Sequence, residues 1–138
     1  MTDQANNGGV PEWVNRYIGI PYVSRGRTLG ACDCWGLISL IYREIYDINI
    51  PVYYYDNAED TKSIVEAFGD NVGSWEQVNR PLVGDVVFLN IGGHPIHAGL
   101  YIGENRMIHS LAGHDSAIES INGLRWLSRI NGYYRWDA

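Results

Sequence analysis

The sequence predicts an α+β domain in which N-terminal helices pack on a central antiparallel β-sheet. Two observations carry this. In the first half, apolar residues recur at helical spacing, most clearly from Cys34 to Ile45. After Gly84 the pattern changes to short β-type runs separated by Gly, Pro, Asn and charged residues.

Taken in order, Met1 to Gly9 is polar and predicts a loose N-terminal tail, leaving 10–138 as one domain. Pro11 to Ile18 predicts a short helix, with Pro11 in its first turn and Trp13, Val14 and Tyr17 on one face. Gly19 to Ala31 is Gly-rich and predicts a loop. The main helix begins at Cys34, where Cys34, Leu37, Ile38, Ile41, Tyr42 and Ile45 form a stripe over about three turns. Asp33, just before it, is the natural N-cap. A third helix is expected after Asp60, with Ile64, Val65 and Phe68 facing inward. Strands are expected at Asp85–Asn90, His97–Ile102, Met107–Leu111 and Ala117–Ile121, then a short helix at Leu124–Ile130 and a closing strand at Tyr133–Trp136.

The length of 138 residues suits one domain. A chain of this size buries roughly 68–70% of its unfolded surface, enough for a core without a metal or disulfide. Net charge is −6 and Lys62 is the only lysine; without a basic run, a nucleic-acid partner is not expected. The N-terminus does not read as an export signal, and there is no apolar run of the ~18 residues that would span a bilayer, so membrane insertion is not expected. Cys32 and Cys34 are one residue apart, a spacing that strains a disulfide, so two free thiols are expected.

Cys34 is the candidate nucleophile. A thiol attacks as thiolate, and the free N–H groups and dipole of a helix N-terminus favour that form. The same amides are suited to a developing oxyanion. The plainer reading makes Cys34 the first apolar residue of a buried stripe. Thiolate chemistry also needs a base, usually His, and a group to orient it. Of the four histidines, His94 and His114 lie in Gly-rich, loop-like surroundings, whereas His97 and His109 fall on adjacent strands of one hairpin. If a three-residue loop, Gly103 to Asn105, closes that hairpin, position 109 pairs with 99 and the two rings are diagonal neighbours on one face. With a two-residue turn they face opposite ways.

The ordered segments Gly19-Ile20-Pro21-Tyr22, Asp33-Cys34-Trp35-Gly36-Leu37, Gly84-Asp85-Val86-Val87-Phe88, His97-Ala98-Gly99-Leu100-Tyr101-Ile102-Gly103 and Met107-Ile108-His109 together resemble the NlpC-type cell-wall peptidases, from about residue 11 to the C-terminus. The resemblance implies a papain-like fold, with Cys34 as nucleophile, His97 as base and His109 as third polar member. It also implies that Tyr22 lies near the nucleophile and helps bind the oxyanion or substrate. The implied reaction is hydrolysis of amide bonds in peptidoglycan stem peptides, with no cofactor. Asp33 and Trp35 flank the nucleophile and are candidates on the substrate or oxyanion side. Trp35 stands where many relatives carry Ser, a form that resembles the bacteriophage tail-associated branch. With the small size and the lack of an export signal, this points to a tail protein, made in the host cytoplasm and acting on the cell wall, with other tail-tip proteins as partners.

Arg25 and Arg27, in the loop leading to Cys34, either meet substrate carboxylates or are solvated. Asp85 reads as a turn residue at a strand start, and Cys32 as a bystander. Three other functions compete. Two Cys and two His have a zinc-site composition, but Cys-x-Cys is a poor ligand spacing. A tail-assembly protein would keep the fold with little activity. A thiol-dependent deamidase or acyltransferase would keep the chemistry on another substrate.

Overall fold

The computed structural model describes residues 9–50, 75–92 and 94–137. The expected tail and the helix after Asp60 fall outside the described residues. Helix α1 spans Cys34–Ile45 and starts where the capping chemistry directs. Asp33 has extended backbone, and its carboxylate accepts a hydrogen bond from the Gly36 N–H at 2.7 Å. The apolar stripe drives burial, with Leu37, Ile38 and Ile41 wholly enclosed. After the C-cap at Tyr46, Asp47 takes a left-handed φ of 57° and turns the chain away.

Two short strands, β1 (Arg27–Thr28) and β2 (Ala31–Cys32), pair ahead of the helix inside the segment expected to be loop. The main sheet holds β3 (Trp75–Val78), β4 (Val86–Ile91), β5 (His94–Gly103), β6 (Arg106–His109), β7 (Ala117–Ser120) and β8 (Ile130–Trp136). Their order is β3-β8-β4-β5-β6-β7, antiparallel throughout. Alternation along the strands gives the sheet two apolar faces. Val86, Phe88, Ala98, Leu100, Ile102 and Ile108 join the α1 residues in one core. Val87, Leu89 and Met107 join Ile121 and Trp126 in a second.

Several expectations change in detail. The first helix is a 3-10 helix over Glu12–Tyr17, and the expected helix at Leu124–Ile130 contracts to a 3-10 turn at Leu127–Arg129. Strand β8 takes the space, starting at Ile130 to pair with both β3 and β4. Strand β3 was not expected: only Trp75 in its Trp-Glu-Gln-Val sequence is buried, too little alternation for a pattern.

The β5–β6 connection joins both hairpin alternatives. Glu104 and Asn105, with φ of 54° and 58°, form a two-residue turn, and Gly103 pairs with Arg106. The register then shifts between Tyr101 and Gly103, so a bulge adds one residue to β5. The net count is odd, and His109 pairs with Gly99.

Two glycines set the helix against the preceding loop. A Cβ on Gly36 would sit 1.8 Å from the Gly26 carbonyl oxygen, an oxygen that accepts the Asp33 N–H at 3.2 Å. An exposed helix interior normally gains from Gly→Ala; here the clash reverses the sign. Gly36→Ala is expected to cost at least about 2 kcal/mol, read as a lowered urea midpoint.

Candidate active site

Cys34 occupies the first turn of α1, where the backbone N–H groups of Ala98, Trp35 and Cys34 itself act on its sulfur in the direction of the ionised form. The contact with Ala98 attaches the helix start to β5, one residue past His97. It occurs where β6 ends, since the pair of Gly99 with His109 is the last between β5 and β6. Just beyond, the Ser110 hydroxyl donates to the Cys32 carbonyl at 3.2 Å and ties the end of β6 to the residue two before Cys34.

The two histidines lie on the sheet face opposite α1, with Leu89 and Met107. They are diagonal neighbours, and His97 Nε2 lies 2.8 Å from His109 Nδ1. Gly99, directly opposite His109, leaves room: a Cβ there would lie 3.3 Å from the His109 Cβ and 2.7 Å from the Met107 sulfur. Trp126 stacks on His97, with centroids 5.6 Å apart and planes 27° from parallel, and stands edge-on to His109 at 5.4 Å. The guanidinium groups of Arg125 and Arg129 flank the indole at 5.2 and 5.7 Å. His109 Nε2 in turn lies 2.7 Å from the Glu119 carboxylate on β7, whose second oxygen lies 3.5 Å from Arg125. A cavity of about 220 Å³, lined by His109, His114, Asp115, Glu119 and Arg125 among others, opens beside this pair.

Enclosure governs the electrostatics. Burial, with a smaller contribution from the Asp33 charge, pushes the Cys34 thiol up to about 12, against the opposite pull of nearby backbone N–H groups. Burial, followed by the positive charges that His109 and Arg125 can carry, lowers His97 to about 3. Burial thus opposes the thiolate that the helix end favours, and it likewise disfavours a charged His97 ring. Burial also lowers His109, although Glu119 pulls the other way.

Two further expectations change. Asp33 is wholly buried, with one oxygen on the Gly36 N–H and the other on the Arg25 N–H at 2.7 Å, so it is a structural cap rather than a substrate contact. The Trp35 side chain points into the core against Trp75 and Phe88, while its backbone N–H acts on the Cys34 sulfur. Tyr22 pairs in parallel with Cys32, and flanking bonds from Cys32 N–H to Pro21 and from Val23 N–H to Cys32 fix its backbone beside β2, the strand that leads into α1. Arg25 is exposed, with a left-handed φ of 68°, and Arg27 opens β1. Cys32 is a buried free thiol. Asp85 is structural: it accepts from the Leu82 N–H and forms a two-pronged pair with Arg135 at 3.0 and 2.8 Å. Glu119 and Trp126 were missed from sequence. Glu119 had a legible signal, because Ala117 pairs with His109 and residue 119 is then its diagonal neighbour; Trp126, in an irregular segment, had none.

A model of the NlpC/P60 family matches residues 19–135. The chain belongs to the NlpC/P60 family. Among its relatives, the murein DD-endopeptidase MepS/murein LD-carboxypeptidase of Escherichia coli (strain K12) is 28% identical over 82% of this chain and 54% of that protein. The tail tip assembly protein K of Escherichia phage N15 is 29% identical over 69% of this chain and 41% of that protein. This NlpC/P60 chain thus spans about half the length of these curated relatives, or less. NlpC2 from Trichomonas vaginalis shares the fold at a TM-score of 0.70 and 20% identity, covering 99% of this chain and 49% of that one.

The depressed His97 pKa links protonation to unfolding. The unfolded ring takes a proton below about 6.5 and the folded ring only near 3, so this contribution is full above 6.5 and lost as pH falls toward 3. Urea midpoints across that window should fall less steeply for His97→Gln than for the native chain.

Proposed function

We propose that this chain is a cysteine peptidase that hydrolyses amide bonds in peptidoglycan stem peptides. The observation that carries the reading is the placement of the Cys34 sulfur beside the Ala98 N–H of β5, next to His97, whose ring is in turn bonded to His109. Cys34 is the nucleophile, His97 the general base and then general acid, and His109 the group that orients it. From the neutral resting pair, His97 Nδ1 accepts the thiol proton as sulfur attacks the carbonyl carbon. Backbone N–H groups at the start of α1 stabilise the oxyanion, and Tyr22 assists from the adjoining segment. His97 returns the proton to the leaving amine. Water then attacks the thioester, again with His97 as base, and frees the thiol.

Membership of the NlpC/P60 family and the likeness to a protein named as a murein endopeptidase support peptidoglycan as substrate. Likeness to a protein named for tail tip assembly supports a place in a phage tail, among tail-tip partners and acting on the host wall. Arg25, exposed just ahead of the helix, and Arg27, opening β1, are the candidates to meet stem-peptide carboxylates.

Cys34→Ala should lower the rate of stem-peptide cleavage by at least about 10³-fold while leaving the far-UV circular dichroism unchanged. Mass spectrometry in heavy-oxygen water should find the label in the new carboxylate. Cleavage surviving in Cys34→Ala would end the assignment, and an unlabelled, amine-coupled product would replace hydrolysis with acyl transfer.

A further inference from the structure

Three polar side chains on three adjacent strands form one chain of hydrogen bonds. Gly99 pairs with His109 across β5 and β6, and Ala117 pairs with His109 across β6 and β7. His97 and Glu119 therefore each stand two residues from a direct partner of His109, one on either side, and both reach it diagonally. The contacts are 2.8 Å from His97 Nε2 to His109 Nδ1 and 2.7 Å from His109 Nε2 to Glu119 Oε1. Both rings are buried, and Trp126 covers them.

We propose that Glu119 is a positioning residue that sets the ring tautomers of both histidines, so that Nδ1, the one nitrogen left to His97 for chemistry, is a proton acceptor. An ionised carboxylate has no proton to offer, so His109 Nε2 must donate to it. A neutral His109 then has only a lone pair on Nδ1, and His97 Nε2 must donate to that. Nδ1 of His97 is left bare and able to take the thiol proton. Were the order reversed, His109 would donate to His97 Nε2, and the His97 proton would sit on Nδ1, where a base is needed. Arg125 supports the arrangement by facing the other oxygen, Oε2, at 3.5 Å, which leaves Oε1 to His109. During attack the thiol proton moves to His97 Nδ1 and later to the leaving amine. The protons on both Nε2 atoms stay in place, and Glu119 is never protonated; its charge stabilises the imidazolium through the intervening ring.

The inference rests on the proposed peptidase reading for its catalytic consequence, but the tautomers can be read on the resting protein. Long-range nitrogen-15 NMR of the native chain near neutral pH should find both rings neutral and protonated on Nε2. A His109 protonated on Nδ1, or doubly protonated, overturns the proposal whether or not the chain cleaves anything. In Glu119→Gln, whose amide can donate as well as accept, the tautomers should mix and kcat for stem-peptide cleavage should fall about 10- to 100-fold with little change in KM, part of what a positioned base supplies. Glu119→Asp should recover part of that loss. Unchanged tautomers and a kcat within about twofold of native in Glu119→Gln would also overturn it. A native chain with the expected tautomers and no turnover would sink the peptidase reading while leaving the Glu119 assignment standing.

Discussion

The register between β5 and β6 is the constraint on which the site depends. A period of two means that one residue more or less turns a whole strand's side chains to the other face. The Glu104-Asn105 turn alone would give the wrong parity; the bulge ending at Gly103 restores it and brings His97 and His109 to the same side. The pair of β6 with β7 carries the same parity one strand further, to Glu119. A glycine opposite His109 then gives the rings space to meet.

Cys34 arrives by a separate route. Helix α1 packs against the opposite face of the sheet, so its sulfur reaches the histidine strand only where β6 has ended. The Ala98 N–H, the Ser110–Cys32 bond and the Gly26–Gly36 contact fix that meeting point from three directions. Asp33 serves this assembly twice, capping the helix with one oxygen and holding the Arg25 turn with the other.

Close packing has an electrostatic consequence. A helix N-terminus and nearby backbone N–H groups favour a thiolate, while burial of the thiol and of the His97 ring favours their neutral forms. In the proposed reaction charge separates only at the moment of attack, with oriented partners for the developing oxyanion and imidazolium. A thiol held neutral is also less exposed to chance oxidation than a free thiolate.

The sequence by itself determined the start of α1 at Cys34, its Asp33 cap, the strand-rich second half and the two histidines on neighbouring strands. Each follows from local spacing and capping chemistry, which act over a few residues. It left open which hairpin parity holds, on which the placing of Glu119 beside His109 depends, and it could not find the Trp126 cover or the inward turn of Trp35. Tertiary structure decided those, because they depend on which distant segments share a face and how much water they exclude. Burial of the thiol and imidazole is likewise a property of the assembled layers, and it works against the ionisation that the helix end alone would favour.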